Sequence, residues 1–268
     1  MSGRHSVTLS TTEIALEVSD LEVSFVDSDG SLEVLDKISF SVQRNAFVCI
    51  VGPSGGGKST LLRAVAGLIQ PTGGKILFPG VAEDKAQTGL VFQKPNLLPW
   101  RTLRDNISLP LEIDQRPEAE ISSLTQEMIR LVGLEGFEKA YPHELSGGMA
   151  QRVAIARCLV QDPEILLLDE PFGQLDALTR ERMGDELLRI WNERRKTVLM
   201  VTHSISEAIF LADRVLVLTC RPARLIMDLP IELPRPRTDA MRYLPEFTEA
   251  ARLLHAQLKD TTAPACQL

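Results

Sequence analysis

The segment "GPSGGGKST", residues 52 to 60, combines glycines with a lysine and three hydroxyl side chains. It fits the phosphate-loop pattern G-x-x-x-x-G-K-[ST], in which glycines let backbone N–H groups approach a polyphosphate. In that pattern the lysine reaches the β- and γ-phosphates, and the next hydroxyl ligates Mg²⁺. The segment therefore predicts a nucleoside triphosphate site formed by Gly52, Pro53, Ser54, Gly55, Gly56, Gly57, Lys58, Ser59 and Thr60.

Two later segments end in side chains that could act on a bound phosphate. "ILLLDE" is an apolar run that ends in Asp169 and Glu170, and "TVLMVTH" ends in His203. A carboxylate at the end of a buried strand can hold Mg²⁺, and a second one can polarise an attacking water. Taken alone, the acidic pair is equally typical of a solvated strand end, and a single histidine is more often structural. After a phosphate loop, they predict Asp169 as a metal ligand, with Lys58, Glu170 and His203 as catalytic residues.

A second anion-binding pattern occurs in "LSGGMAQR", residues 145 to 152. Ser146, Gly147 and Gly148 precede a segment with apolar residues at helical spacing, so backbone N–H groups and the positive end of a helix dipole would face an anion. The segment has no lysine. We interpret it as a supplementary phosphate contact and not as a second nucleotide pocket.

The elements that must position these residues alternate between strand and helix. "FVCIV" followed by the glycine loop and a helical pattern from residue 58 to 68 is the βα unit that a phosphate loop requires. Residues 102 to 161 have mainly helical character and interrupt the strands. The predicted fold is α/β, a phosphate-loop core with a mostly parallel sheet, an antiparallel β edge and an inserted α-helical subdomain. Strands are predicted at "IALEV", "LEVSF", "LDKISFSV", "FVCIV", "KILF", "TGLVF", "EILLLDE", "TVLMVTH", "RVLVLT" and "RLIMDLP".

This pattern divides the chain into three parts. Residues 1–95 and 162–229 would form the nucleotide-binding α/β core with its β edge. Residues 96–161 would form the helical subdomain that carries "LSGG". Residues 230–268 would be a C-terminal extension, with the proline-rich connector "PIELPRPRT" and an amphipathic helix at "PEFTEAARLLHAQLKD".

Composition limits the remaining classes. The formal charge of −7 at pH 7, without a dense Lys/Arg block, argues against a nucleic-acid partner. No apolar run approaches the length of a membrane span. The four cysteines are widely scattered without metal-ligand spacing, which predicts free thiols, no disulfides and a reducing compartment. We therefore expect a cytosolic chain unless a partner holds it at a membrane.

With these residues in view, the chain resembles the nucleotide-binding subunits of ATP-binding cassette (ABC) transporters. The Walker A loop corresponds to residues 52–59, the Walker B segment to residues 165–170, "LSGGM" to the signature and "GQLDA" to the D-loop. The resemblance implies that His203 is the switch histidine and that Gln93 in "VFQ" contacts nucleotide and Mg²⁺. It also implies that Phe25 in "LEVSF" stacks on adenine, although a core position for Phe25 remains an alternative.

The resemblance implies a working model. ATP and Mg²⁺ would bind in a homodimer assembled head to tail, so that the signature of one chain covers the nucleotide on the Walker A loop of the other. ATP hydrolysis would drive a separate integral membrane permease, with a periplasmic or extracellular solute-binding protein as an indirect partner. The chain would then lie on the cytoplasmic face of a bacterial-type cell membrane, as a peripheral subunit.

The stretch "VFQKPNLLPWRTLRDNISLPL" resembles importers of nitrate, aliphatic sulfonates and taurine, which implies a small anion or an organosulfonate-like solute. Leu97, Leu98 and Trp100 would dock the permease or, alternatively, pack in the core. Two positions depart from the family pattern: Met149 replaces a glutamine of the signature, and Gln174 lies in an altered D-loop. A soluble ABC ATPase of translation or DNA repair, or a regulatory module without catalysis, are the alternative functions.

Overall fold

The computed structural model describes residues 14–27, 30–80 and 88–261 of the chain. It contains nine strands and seven α-helices in these ranges, together with two short 3₁₀ helices, Pro142–Glu144 and Asp239–Tyr243. The strands are β1 Ile14–Asp27, β2 Gly30–Gln43, β3 Phe47–Val51, β4 Gly73–Leu77, β5 Thr88–Val91, β6 Ile165–Asp169, β7 Thr197–Val201, β8 Arg214–Leu218 and β9 Leu225–Pro230. The helices are α1 Lys58–Val65, α2 Leu103–Ile113, α3 Glu118–Leu131, α4 Gly147–Leu159, α5 Ala177–Arg194, α6 Ile205–Leu211 and α7 Pro245–Thr261.

A six-stranded sheet forms the centre of the fold, in the order β5-β6-β7-β3-β8-β9. The first five strands in this order pair in parallel, and β9 pairs antiparallel to β8. Every residue of β3, β6 and β7 is buried, as expected for parallel strands covered on both faces. The carboxyl ends of β3, β6 and β7 meet at one edge of the sheet, so the segments that follow them lie together. The predicted α/β fold is confirmed.

A smaller antiparallel sheet, in the order β2-β1-β4, provides the β edge of the core. The strands β1 and β2 form a hairpin in which Asp27 is opposite Gly30 and Phe25 is opposite Leu32. The two strands predicted at "IALEV" and "LEVSF" are one strand of 14 residues. Irregular register within β1 lets this single strand continue past Asp20, which has a left-handed backbone with φ 46°.

Helices α2, α3 and α4 lie between β5 and β6 in the chain and pack against one another. Helix α2 starts with a capping box, because Thr102 accepts a hydrogen bond from the backbone of Asp105 and the Asp105 carboxylate accepts one from Thr102. In α4, Val153 and Ile155 are completely buried. This segment therefore has its own packed interior while remaining continuous with the main core.

The C-terminal residues pack on the core. Ile231 and Leu233 follow β9, Phe247 and Leu254 lie on α7, and all four belong to the same buried cluster as β3. The predicted amphipathic helix is present as α7. No helix within the described ranges has the length and apolar character needed to cross a membrane.

The cysteines differ in state. Cys49 and Cys158 are free thiols, and burial raises the pKa of Cys49 well above its usual value and that of Cys158 to about 11. Cys220 is disulfide-bonded, so the expectation of no disulfides is wrong for this residue. A disulfide depends on the distance between two cysteines in the folded chain, and their separation in the sequence does not specify that distance. Cys266 lies outside the described residues.

Candidate nucleotide site

The glycine loop connects β3 to α1 and lies directly against the segment that follows β8. A Cβ on Gly52 would lie 2.8 Å from the carbonyl oxygen of Leu218, and one on Gly56 would lie 2.9 Å from that of Thr219. Gly57 has φ 92° and forms the N-cap of α1. Only glycine allows this close approach and this backbone conformation, so the loop exposes main-chain groups and the N-terminus of α1 to one cavity.

Lys58, the first residue of α1, folds back over its own loop. Its Nζ donates hydrogen bonds to the carbonyl oxygens of Gly52, at 3.0 Å, and Pro53, at 2.8 Å. Burial lowers the pKa of Lys58, whereas the carboxylates of Glu170 and Asp169 act in the opposite direction and favour the charged form. The loop thus holds a nearly buried cation whose bonds to neutral carbonyls can be exchanged for bonds to phosphate.

Ser59 and Asp169 meet across 110 residues of sequence. The Ser59 hydroxyl donates to Oδ1 of Asp169 at 2.7 Å. Burial raises the pKa of Asp169, and the hydrogen bond from Ser59 acts against this shift. The Ser59 hydroxyl and the buried Asp169 carboxylate are oxygen donors of the kind that Mg²⁺ prefers. Mg²⁺ usually takes its other ligands from phosphate and water. Among the described residues, no group of three acidic, histidine or cysteine side chains that could hold a metal ion is present.

Two side chains that follow neighbouring strands contact the same carboxylate oxygen of Glu170. Gln93 Nε2 lies 3.4 Å and His203 Nδ1 lies 3.3 Å from Oε2 of Glu170. The backbone of Glu170 has φ 45°, and its N–H donates to the carbonyl of Val201 at the end of β7. A positive φ in a residue other than glycine is strained, and such strain is concentrated at functional sites. The structure therefore brings together three side chains that the sequence predicted separately.

One cavity of about 470 Å³ joins the glycine loop to the β1–β2 hairpin. Phe25 is 44% exposed and lines this cavity, and it belongs to neither of the two buried clusters, which argues against a core role. Glu170 also lines the cavity. The complete lining is Phe25, Leu32, Val34, Ser54, Gly55, Gly56, Gly57, Lys58, Ser59, Thr60, Glu170 and Arg221.

Sequence reasoning missed three of these lining residues, Leu32, Val34 and Arg221. A signal for Leu32 was present, because a hairpin closed by "DSDG" places residues 25 and 32 opposite each other. Arg221 had no such signal. It is near the glycine loop only because β8 lies next to β3 in the sheet, and its Nη2 would be 3.3 Å from a Cβ on Gly55.

The "LSGG" segment occupies a different part of the chain surface. Ser146 caps α4, since its Oγ accepts a hydrogen bond from the N–H of Met149 at 3.3 Å. Ser146 and Gly147 are exposed, and Gly148 is buried beside Thr179 of α5. None of Ser146, Gly147 and Gly148 lines the cavity at the glycine loop. A single chain therefore presents two separate anion-binding patterns.

Comparison with known proteins decides the family. Residues 35–173 match the family model described as ABC transporter. The chain belongs to the ABC transporter family. It is 45% identical to a nitrate import ATP-binding protein of Synechocystis, over 87% of this chain and 90% of that protein. It is 42% identical to a taurine import ATP-binding protein of Rhizobium johnstonii, over 92% of this chain and 97% of that protein.

A solved structure of an ATP-binding cassette supports the same assignment. It is a dimer in a post-hydrolysis state, bound to ADP and Pi, with a TM-score of 0.69 and 29% sequence identity. The match covers 82% of this chain and 100% of that one. The chain is thus an ABC ATPase cassette with a phosphate-loop fold, and its relatives in this family include importer subunits.

Proposed function

We propose that this chain is the ATP-hydrolysing subunit of an ABC importer, and that its homodimer drives a separate integral membrane permease. The observation that carries the proposal is the convergence of Gln93 and His203 on one oxygen of Glu170, next to the bond between Ser59 and Asp169. A carboxylate held by two polar side chains beside a cation-binding pair is suited to activating water against a bound phosphate.

ATP would lie along the cavity from the hairpin to the glycine loop. Phe25 and Leu32 supply apolar surface for the adenine, on opposite positions of the hairpin. Lys58 would exchange its two loop carbonyls for oxygens of the β- and γ-phosphates. The loop would enclose the rest of the phosphate chain, and its backbone N–H groups would donate to phosphate oxygens, except at Pro53, which has no N–H. The loop residues concerned are Gly52, Pro53, Ser54, Gly55, Gly56, Gly57, Ser59 and Thr60.

Mg²⁺ would be held by Ser59 and Asp169, with Gln93 as a further ligand. When bound, the ion neutralises charge on the phosphates and orients them. Glu170 would accept a proton from the attacking water, and His203 would contact the γ-phosphate or that water. In the structure, both Gln93 and His203 hold the Glu170 carboxylate, which keeps its oxygen near the cavity.

The separation of the two anion-binding patterns favours a composite site. Ser146 and Gly147 are exposed on the surface and take no part in the cavity of their own chain. We propose that they and Gly148 cover the nucleotide on the partner chain of a head-to-tail dimer. The dimeric cassette structure with ADP and Pi is consistent with this arrangement.

The importer relatives suggest the transported solute. Because proteins similar to this chain are named for nitrate and taurine import, we propose a small anion or an organosulfonate-like solute. A periplasmic or extracellular solute-binding protein would take part indirectly, and the subunit would lie on the cytoplasmic face of the membrane. From the order of strands and helices along the chain, we also propose a division into a core of residues 1–95 and 162–229, a helical subdomain of residues 96–161 and a C-terminal extension of residues 230–268.

Replacing Glu170 tests the enzymatic part of the proposal. Glu170→Gln keeps the size of the side chain and leaves Ser59 and Asp169 unchanged, so ATP affinity should remain. The steady-state ATPase rate should fall by about a hundredfold or more, because the base is lost. Glu246→Gln on α7, an exposed carboxylate outside the cavity, is the matched control and should hydrolyse ATP like the wild type. Near-normal turnover of Glu170→Gln would remove Glu170 from the role of base.

A further inference from the structure

His203 has one side-chain contact and a restrained backbone. It follows β7, its side chain is 47% exposed, and its imidazole contacts Glu170. Because the position of the backbone sets where the imidazole can reach, restraints on the neighbouring residues lower the entropy that is lost when the ring contacts Glu170. The two neighbours, Thr202 and Ser204, are both engaged in hydrogen bonds that restrict this part of the backbone.

The hydroxyl of Thr202 forms hydrogen bonds with residues that follow His203 in the chain. Its Oγ1 accepts a hydrogen bond from the N–H of Ser204 at 3.0 Å and donates one to Oε2 of Glu207 at 2.6 Å. The N–H of Thr202 donates to the carbonyl of Ile50 in β3. Because Thr202 is only 2% exposed, its hydroxyl has little access to water and depends on these partners.

Glu207 lies in the first turn of α6 and holds the Thr202 hydroxyl from the other side. Its N–H donates to Oγ of Ser204, which caps the helix. Burial raises the pKa of Glu207, while the hydrogen bond from Thr202 and the charge of Arg180 favour the carboxylate. A largely buried carboxylate is expensive to desolvate, and hydrophobic packing would stabilise this position at least as well. Its contacts therefore suggest a positional role.

Arg180 connects this group to the D-loop, residues 173–176. Its Nε lies 3.5 Å from Oε1 of Glu207, and its Nη2 donates to the carbonyl of Leu175 at 3.1 Å. Polar contacts thus lead from the D-loop backbone through Arg180 and Glu207 to Thr202, next to His203; the link between Arg180 and Glu207 is an ion pair, because Nε of Arg180 makes no hydrogen bond.

We propose that Thr202 and Glu207 are positioning residues for His203, and that Arg180 ties their position to the D-loop. This inference rests on the proposed function, because it requires His203 to act during ATP hydrolysis. Loss of the Thr202 hydroxyl would free the N–H of Ser204, and with it the peptide group that follows His203. The imidazole would then spend less time in contact with Glu170, while the phosphate loop and the hairpin that bind ATP would be unaffected.

Deleting and restoring the hydroxyl tests this inference. Thr202→Val removes Oγ1 at nearly constant volume, and Thr202→Ser restores it. In Thr202→Val, kcat should fall about tenfold to a hundredfold with the KM for ATP within about twofold of wild type, as expected for a misplaced catalytic group. Thr202→Ser should recover most of kcat. Glu207→Met is a second variant of similar length that leaves the Thr202 hydroxyl without its acceptor, and it should show the same split between kcat and KM.

Thr197→Val provides the matched control on the same strand. Thr197 is 3% exposed at the start of β7, and its Oγ1 accepts a hydrogen bond from the N–H of Asn45 at 3.1 Å. This variant loses one buried hydrogen bond far from His203 along the strand, so its free energy of unfolding should fall while kcat stays unchanged.

The outcomes distinguish failure of the positioning role from failure of the proposed function. Wild-type kcat in folded Thr202→Val and Glu207→Met would overturn the positioning role while leaving the ATPase proposal intact. An equal loss of kcat in Thr197→Val would also overturn it, because the effect would then follow stability alone. A wild-type chain that binds no ATP and hydrolyses none would overturn the proposed function itself, and the inference with it.

Discussion

The Ser59 hydroxyl donates a 2.7 Å hydrogen bond to Oδ1 of Asp169, and this bond links the glycine loop to the end of β6. Asp169→Asn keeps an oxygen acceptor for Ser59 but removes the charge that would attract Mg²⁺. We expect Mg²⁺ to strengthen ATP binding in the wild type and to do so much less in Asp169→Asn. The measurement is ATP affinity by calorimetry with Mg²⁺ and with a chelator.

The same variant has a second expected outcome. Because burial raises the pKa of Asp169, its negative charge opposes folding when pH is above that pKa, and protonation relieves the cost at lower pH. Removing the charge should therefore leave the free energy of unfolding of the nucleotide-free protein at pH 7 unchanged or higher. A clear loss of stability would contradict an unfavourable buried charge at Asp169. An unchanged effect of Mg²⁺ on ATP affinity would contradict the assignment of Asp169 as a metal ligand.

Phe25→Ala should weaken ATP binding several-fold, because aromatic contact with the adenine contributes about 1 kcal/mol. Little stability should be lost, since Phe25 is 44% exposed. Phe137→Ala, at a position 47% exposed in the helical segment, is the matched control and should bind ATP normally. Unchanged ATP affinity in folded Phe25→Ala would remove Phe25 from the nucleotide site.

Trp100→Ala should release the subunit from membranes that contain its permease, while ATPase activity in solution remains. Trp100 is 71% exposed just after Gln93, whereas Leu97 packs against the core, so the tryptophan is the side chain available to a partner. The assay is co-purification with membranes when the permease is co-expressed. Tyr243→Ala, an 86% exposed aromatic on the C-terminal segment, should remain bound.

If Trp100→Ala stays on the membrane as well as Tyr243→Ala does, the docking role of Trp100 is wrong. A wild-type chain that never associates with a permease, while hydrolysing ATP in solution, would favour the soluble ABC ATPase.

Two inactive variants should restore activity when mixed. Lys58→Ala disables the phosphate loop, and Ser146→Arg should block the signature by size and by a misplaced charge. In a mixed dimer, one composite site combines an intact Lys58 with an intact Ser146. The ATPase rate after mixing should rise with the fraction of heterodimer, measured independently with labelled chains. No recovery in a confirmed heterodimer would mean that the signature serves the site of its own chain.

The local chemistry of the site was readable from short stretches of sequence. The glycine loop after "FVCIV" and the helical pattern after Lys58 specify a strand, loop and helix whose geometry depends on neighbouring residues in the chain. The carboxylates of Asp169 and Glu170 at the end of an apolar run, and His203 at the end of another, were identified for the same reason. The hairpin partner of Phe25 was also within reach, because register across a short turn follows from counting.

Contacts between distant segments depended on strand order, which local patterns do not specify. The sequence by itself determined the candidate residues for the chemistry: the phosphate loop, the acidic pair, His203 and the "LSGG" segment. The tertiary structure alone decided that β6 lies beside β7, which brings His203 to Glu170, and that β8 lies beside β3, which brings Arg221 to the glycine loop. It also decided that "LSGG" lies outside the cavity of its own chain, because helix packing and not local propensity sets where α4 begins relative to the sheet.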